Sequence, residues 1–251
     1  MNLHEAQTQF EQRLKALDND SRACVQFAYT EYTLWHVAAY DFEVQRILYE
    51  HNHFWWTVVA GLHQSAYIVL GRMFDHDDRT HNLRDLVKHA DKWRGIFSRK
   101  ELEARKVRAG MDPAAAKSYA AAAYELRSGG LNALQAALAE KEAFYKERID
   151  PIRDKIFAHH QRSVDRDKLF SDLGLREMEK VFVFPLQLHR ALFALYYDGR
   201  EPVLEPVPTT IADVLRNVPP QGSSGWREHL HAAKSASDFL DWLKAVAPPG
   251  D

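Results

Sequence analysis

Aromatic and aliphatic residues recur at three- and four-residue steps through residues 22–50, RACVQFAYTEYTLWHVAAYDFEVQRILYE. This spacing places them on one side of an α-helix and does not fit the two-residue alternation of a half-buried strand. The same periodicity dominates the rest of the chain, and no alternating run is joined to hairpin turn chemistry. The sequence therefore predicts an all-α fold.

Start and stop signals divide the chain into helices. We expect a short helix over residues 3–17, then a long one that is capped by Asp20 or Ser21 and continues to residue 50. His51 and Asn52 mark the turn into a buried apolar helix, which ends near Phe74 and is followed by a polar loop over residues 75–82. Further helices are expected at residues 83–93, after Ser98, from Asp112-Pro113 to Gly129-Gly130, over residues 131–162 with an interruption at Asp150-Pro151, and over residues 175–197 with a kink at Pro185.

Proline content changes sharply after this last helix. Five of the ten prolines fall between residues 200 and 221 and are followed by GSSG, a composition typical of an extended linker. Residues 226–246 form an amphipathic pattern with Leu230, Phe239, Trp242 and Leu243 as anchors. We predict a helical bundle over residues 1–199, a linker over 200–225, and a C-terminal helix and tail over 226–251.

The overall charge excludes a globally basic nucleic-acid binder, because 33 Lys and Arg are balanced by 35 Asp and Glu. Locally, ten Lys and Arg face four acids between residues 79 and 108, which suits a phosphate backbone and makes Arg84 and Lys88 candidate RNA contacts. The alternative is an ordinary solvated helix surface with ion pairs inside one helix.

Cellular location is predicted from what the sequence lacks. Cys24 is the single cysteine, and the N-terminus has no basic start followed by an apolar run. The most apolar stretch is interrupted by His63, Gln64 and Arg72, so we expect no membrane span. A cytoplasmic protein is the expectation.

Cofactor and metal sites find little support. His51, His53, His63 and His76 lie near Asp75, but they lack the three- or four-residue spacing with which helices hold zinc or paired metals. Phosphate-binding glycine loops, a nucleophile elbow and a positioned partner for Cys24 are also missing. We expect neither a metal nor a cofactor, although a His and Asp metal site near Asp75 stays as a weaker alternative.

The stretch IDPIRDKIFAHH, residues 149–160, carries the most informative chemistry. If Asp150 caps a helix that restarts at Pro151, Arg153 lies in the first turn, where free amides favour an anion. Arg153 and His160 are seven residues apart and share a helix face, whereas His159 is rotated by about 120° from Arg153. His159 instead ends the apolar stripe of Ile149, Ile152 and Ile156.

A histidine beside a phosphate-binding arginine can act as general base or acid while the guanidinium stabilises charge on the phosphorus centre. Such a pair cleaves RNA without metal: the 2′-hydroxyl attacks the adjacent phosphate and leaves a 2′,3′-cyclic phosphate and a 5′-hydroxyl. The alternative is structural, with Arg153 paired to a neighbouring acid and His159 bonded within the core.

This stretch resembles the signature of the HEPN superfamily, an Arg followed four to six residues later by His. The bare pattern also occurs from Arg46 to His51 and from Arg84 to His89. However, RDKIFAHH is similar to the RDK-x-x-AH form of abortive-infection HEPN proteins of the AbiU type. Their earlier RLFD segment is similar to IVLGRMFDHDDRTHNLRDL, which contains Asp75, and the resemblance spans residues 28–197.

The resemblance implies a HEPN-type up-and-down helical bundle with extra helices and a C-terminal extension. It also implies a homodimer in which the Arg-His pairs of two subunits face each other, so that Arg153 and His159 need not meet on one helix. The apolar stripe ending at His159 would then be the dimer seam. Many relatives are ribonucleases of phage-defence or toxin-antitoxin systems, which would add an antitoxin as a partner. Others bind RNA or act as scaffolds without catalysis.

Site roles follow from the resemblance. Arg153 and His159 would be catalytic, Asp154 would orient one of them, and Lys155 and His160 would contact phosphate. Pro151, two residues before the arginine, departs from the family pattern and puts catalytic competence in question.

Overall fold

The structure is a computed structural model, and it describes residues 2–77, 80–153, 174–207, 210–216 and 228–247. Every regular element in these ranges is helical, which confirms the all-α prediction. A 3₁₀ turn, Arg94–Phe97, and a π-helical turn, Tyr145–Ile149, accompany the α-helices. These are α1 Leu3–Tyr40, α2 Phe42–Glu50, α3 Asn52–Phe74, α4 Leu83–Lys92, α5 Arg99–Arg108, α6 Pro113–Ala121, α7 Asn132–Phe144, α8 Asp150–Ile152, α9 Leu175–Asp198, α10 Ile211–Arg216 and α11 Glu228–Val246.

Helix α1 is one continuous helix of 38 residues, so the predicted start at Asp20 or Ser21 was wrong. Residues 3–40 contain neither glycine nor proline, so no strong helix breaker interrupts the helix. The break comes later, at Asp41, which adopts an extended backbone with φ −123° and ψ 106°. Its carboxylate accepts hydrogen bonds from the amides of Glu43 and Val44, both at 3.1 Å, and thereby starts α2.

Three predicted helix starts are confirmed by their caps. The side chains of Asn82, Ser98 and Asp112 accept hydrogen bonds from backbone amides in the first turns of α4, α5 and α6. The end predicted for α6 at Gly129-Gly130 was wrong, because α6 stops at Ala121. Beyond this point the amide of Tyr124 donates to the carbonyl of Gly199 at 2.8 Å rather than to a helical carbonyl.

The chain forms two compact units, of which the first comprises Met1–Asn19, Arg72–Glu147 and Phe184–Val207. Its core contains the ring of Phe10, whose centroid lies 5.2 Å from that of Phe97 and 4.9 Å from that of Tyr196. The predicted inner face of α4 is buried here as well: Leu83, Leu86, Val87 and Ala90.

The second unit comprises Asp20–Gly71, Arg148–Val183 and Pro208–Asp251. Helix α11 packs in it through Leu240 and Leu243, which contact a cluster that includes Leu34, Ala38 and Val44. Two of the anchors predicted for this helix, Phe239 and Trp242, are instead about half exposed.

The stretch predicted as an extended linker contains the short helix α10. The Thr210 hydroxyl accepts from the amide of Asp213 at 3.1 Å, and the amide of Ile211 donates to the Glu179 carboxyl group at 3.1 Å. The prediction of an extended conformation was therefore wrong for residues 211–216. In these contacts the side-chain oxygens accept hydrogen bonds from the free amides in the first turn of the helix. The division of the chain at residues 200 and 226 stays a prediction.

Helix α3 is buried only over its second half, where Ala66, Leu70 and Met73 are inaccessible. Its first turns expose Phe54 by 62% and Trp56 by 70%, so the expectation of a wholly buried helix was wrong there. Among the described residues, no helix combines the length and the apolar character that a membrane crossing requires.

Candidate functional site

The backbone that leads to Arg153 makes a wide turn. Helix α7 passes into the π-helical turn Tyr145–Ile149, and α8 follows directly. Pro151 has no amide hydrogen to donate to the carbonyl four residues earlier, so the regular α-helical ladder cannot continue through it. The interruption predicted at Asp150-Pro151 is thus confirmed.

The form of this interruption differs from the expectation. Asp150 lies inside α8, and the preceding Ile149 has helical torsions and makes no side-chain capping bond. The amide of Arg153 donates to the carbonyl of Asp150. The predicted capped restart, with free amides around Arg153 for an anion, was therefore wrong.

The Arg153 side chain is 33% exposed, and its Nη2 lies 3.0 Å from Oδ1 of Asp150, which is 40% exposed. The sequence left open whether Arg153 serves an anionic ligand or pairs with a neighbouring acid, and the structure shows the pairing. An ion pair this exposed contributes only about 0–1 kcal/mol. A phosphate can therefore compete with Asp150 for the guanidinium.

Ile149 and Ile152 are fully buried within the chain. They pack against their own fold, so these two residues are not the dimer seam that the stripe was expected to provide. Ile156 and the four remaining candidates of this stretch, Asp154, Lys155, His159 and His160, lie outside the described residues.

The basic stretch before residue 108 holds several of its cations in internal contacts. Arg84, a candidate RNA contact, makes a two-pronged ion pair with Glu142, with Nε–Oε1 at 3.0 Å and Nη2–Oε2 at 2.6 Å. This pair raises the pKa of Arg84. Lys88, the second candidate, is exposed on α4.

Arg105 of the same stretch is a core residue, only 8% exposed. Its guanidinium donates to the carbonyls of Ile96 and Tyr196 at 2.8 Å each and lies 3.8 Å from the centroid of the Tyr196 ring. Burial lowers its pKa. A count of charges along the sequence cannot distinguish this structural arginine from a surface one.

The acidic loop after α3 bonds to itself. Oδ1 of Asp75 accepts from the amide of Asp77 at 3.2 Å. The carbonyl of Asp77 accepts from the Thr80 hydroxyl at 2.8 Å and from the side-chain amide of Asn82 at 3.3 Å. These bonds shape the loop that ends at Asn82, the N-cap residue of α4. In the part of the chain that the structure describes, no three metal-ligating side chains come together.

One pair of titratable residues was not predicted as such. Nδ1 of His63 lies 2.7 Å from Oε1 of the buried Glu31, and the His63 ring packs on Tyr67 with centroids 4.7 Å apart. The hydrogen bond fixes the orientation of the imidazole. Because 32 residues separate the two in sequence, no local spacing could have predicted the pair.

In the part of the chain that the structure describes, the protein is therefore an all-α protein with a partly exposed Arg153 after the wide turn. The model of the HEPN_AbiU2 family, described as AbiU2, matches residues 8–209, and the chain belongs to this family. The resemblance predicted from the sequence is confirmed, and with it the association with abortive infection. Comparison with curated proteins and with solved structures gave no significant match.

Proposed function

We propose that this protein is a cytoplasmic, metal-independent endoribonuclease of a prokaryotic phage-defence or toxin-antitoxin system, with Arg153 and His159 as its catalytic residues. The observation that carries the proposal is the family match, since residues 8–209 include both signature positions. The accessible side chain of Arg153 supports it, because its weak bond to Asp150 leaves the guanidinium available to a phosphate.

The chemistry requires a group that accepts a proton and a group that stabilises charge. His159 takes the proton from a ribose 2′-hydroxyl, whose oxygen forms a bond to the adjacent phosphorus. The bond from phosphorus to the 5′-oxygen breaks, and that oxygen takes up a proton from water. Arg153 donates to the phosphate oxygens on which negative charge develops. The products are a 2′,3′-cyclic phosphate and a free 5′-hydroxyl.

A site shared by two chains reconciles the periodicity of the signature with this chemistry. On a regular helix, His159 points about 120° away from Arg153. Across a twofold axis, each arginine can instead face the histidine of the partner subunit. In this homodimer Asp154 orients the pair, and Lys155 and His160 contact phosphate. Lys88 and Arg84 stay candidate RNA contacts on the first unit.

The test is cleavage of single-stranded and transfer RNA by the purified protein in EDTA. Arg153→Ala and His159→Ala should each reduce the rate at least about 100-fold. Arg148→Ala is a control, because this arginine is exposed and lies five residues earlier on the same segment; it should retain activity. Undiminished cleavage by both signature variants, or a strict requirement for metal, refutes the mechanism.

The second candidate function is a non-catalytic HEPN-type module that binds RNA or scaffolds other proteins, with an antitoxin among the possible partners. The exposed aromatic side chains of α3 favour it, because such rings are typical of protein interfaces. Unfolding of His159→Ala separates the two functions. A loss of several kcal/mol indicates a buried structural histidine, whereas unchanged stability together with lost cleavage indicates a catalytic one.

A further inference from the structure

Helices α10 and α11 lie beyond residues 8–209, the segment that the family model matches. Both belong to the second unit, and they pack against each other. Val214 of α10 is buried, as are Leu230, Ala233 and Leu240 of α11. We call these two helices the C-terminal helix pair.

A buried carboxyl group joins the C-terminal helix pair to α9. Glu179 of α9 is buried, and its Oε1 accepts the amide hydrogen of Ile211, the first residue of α10, at 3.1 Å. Helix α10 has six residues, too few for an isolated helix to be stable in water. Its helical conformation therefore depends on contacts such as the one with Glu179.

Tyrosines of α1 lie near this carboxyl group and connect it to α11. Burial raises the pKa of the Tyr29 hydroxyl, and the charge of Glu179 raises it further. Burial is also the largest cause of the raised pKa of Tyr32, to which Glu179 contributes. The ring of His229 of α11, which is fully buried, packs against Tyr29 with centroids 5.2 Å apart. Glu179 therefore lies where α1, α9, α10 and the start of α11 meet.

The charged side chains near Glu179 do not offset its burial. Burial raises the pKa of its carboxyl group to about 7, although the hydrogen bond from Ile211 and the charge of Arg176 lower it. The charge of Asp213 raises it further, and Asp213 itself pairs with Arg216, with Nη2–Oδ1 at 2.8 Å. Ionisation of Glu179 therefore places a charge in a buried site that disfavours it.

Separation of α10 from α9 relieves this cost, because water then solvates the carboxylate. The protonated carboxyl group has no such cost, and its carbonyl oxygen can still accept from Ile211. The docked state therefore loses stability as the pH rises from 4.5 to about 7, and detachment of the helix pair is favoured at the higher pH.

We propose that Glu179 is a pH-sensitive switch for docking of the C-terminal helix pair. The pair stays docked while this carboxyl group is protonated, and it detaches as one unit more readily when the group is ionised. Detachment of α11 uncovers the apolar cluster on α1 and α2 against which Leu240 packs. The switch is independent of the cleavage chemistry proposed for Arg153 and His159.

Hydrogen–deuterium exchange of the full chain, measured by mass spectrometry at pH 5 and pH 8, tests the switch. Protection is expressed relative to the intrinsic exchange rate at each pH. In the unmodified chain at pH 8, the amides of residues 211–216 and 229–246 should be at least about tenfold less protected than those of residues 66–73 in α3, because they exchange by local detachment. Glu179→Gln keeps an acceptor for Ile211 and removes the charge. It should raise the protection of the helix pair at least about tenfold at pH 8 and far less at pH 5.

Two further variants make the test specific. Val214→Ala loosens the packing of α10 without a change of charge, and it should lower the protection of both helices about tenfold at both pH values. Asp238→Asn is the control, since this exposed carboxylate of α11 pairs with Lys234 on the surface; it should leave the protection unchanged.

Three results overturn the proposal. In the first, the helix pair is as protected as residues 66–73 at pH 8, so that it opens only with the whole unit. In the second, Glu179→Gln changes the protection equally at pH 5 and pH 8, or the dependence on pH persists in this variant, which assigns it to another group such as His229. In the third, Val214→Ala exposes α10 and leaves α11 protected, so the two helices do not detach together.

Discussion

Glu179 provides the sharpest test of how the second unit is held together. This residue of α9 is 1% exposed, and its Oε1 accepts from the amide of Ile211 at the start of α10. Burial raises the pKa of its carboxyl group from 4.5 to about 7, and nearby Asp213 raises it further against the opposing effects of Ile211 and Arg176.

The sign of the pH effect follows from proton binding. Between pH 4.5 and pH 7 the folded chain keeps a proton that the unfolded chain has lost, so stability falls as the pH rises through this window. Above about pH 7 Glu179 is ionised in both states, so the loss of stability no longer changes with pH. A pKa shift of this size lowers the free energy of unfolding by at most about 3 kcal/mol.

Glu179→Gln removes the titration while its amide oxygen still accepts from Ile211. The variant should match the unmodified chain near pH 5 and exceed its stability at pH 8 by up to about 3 kcal/mol. Urea unfolding at both pH values measures the difference. Glu177→Gln is the control, because Glu177 is exposed and pairs with Lys180 on the surface. The reasoning is refuted if the difference in unfolding free energy between the Glu179→Gln variant and the unmodified chain is the same at pH 5 and pH 8. It is also refuted if the variant is the less stable of the two at pH 8.

Three further predictions concern single side chains. Arg105→Met leaves the carbonyls of Ile96 and Tyr196 without their buried donor and should cost about 3 kcal/mol in urea unfolding, with no recovery in Arg105→Lys, which lacks the planar fork. Gly199→Ala should cost about 2 kcal/mol or more, because φ is +61° and a Cβ meets Leu102 at 2.5 Å, whereas Gly110→Ala, with φ +93° and open space, should cost only about 1 kcal/mol. In a His159→Ala background, Asp150→Asn should tighten RNA binding about two- to fivefold in anisotropy, since Arg153 loses its competing carboxylate; unchanged affinity contradicts a phosphate role for this arginine.

The sequence predicted the elements that depend on local chemistry. The helix starts after Ser98 and at Asp112-Pro113 could be read directly, because a short polar side chain before a helical run satisfies free amides. The interruption at Pro151 followed from its missing amide hydrogen.

Features that depend on distant contacts could not be predicted in this way. Beyond the end of α6, the amide of Tyr124 bonds to the carbonyl of Gly199, which lies 75 positions later in the chain. Helix α10 depends on Glu179, and the burial of Arg105 depends on Tyr196. In the candidate site, the resemblance identified Arg153, but its pairing with Asp150 is a matter of side-chain geometry that spacing does not determine.

The central claim, metal-independent cleavage by attack of a ribose 2′-hydroxyl, is tested most directly by the ends of the RNA products. An intact RNA oligonucleotide that the protein cleaves should be incubated with it in EDTA. The masses of the fragments are then measured by mass spectrometry. The account predicts fragments with a 2′,3′-cyclic phosphate and a 5′-hydroxyl, and no cleavage of a matched oligonucleotide with 2′-deoxyribose at the cleaved position. Fragments with a 5′-phosphate, or cleavage of the deoxy-substituted substrate, would contradict it.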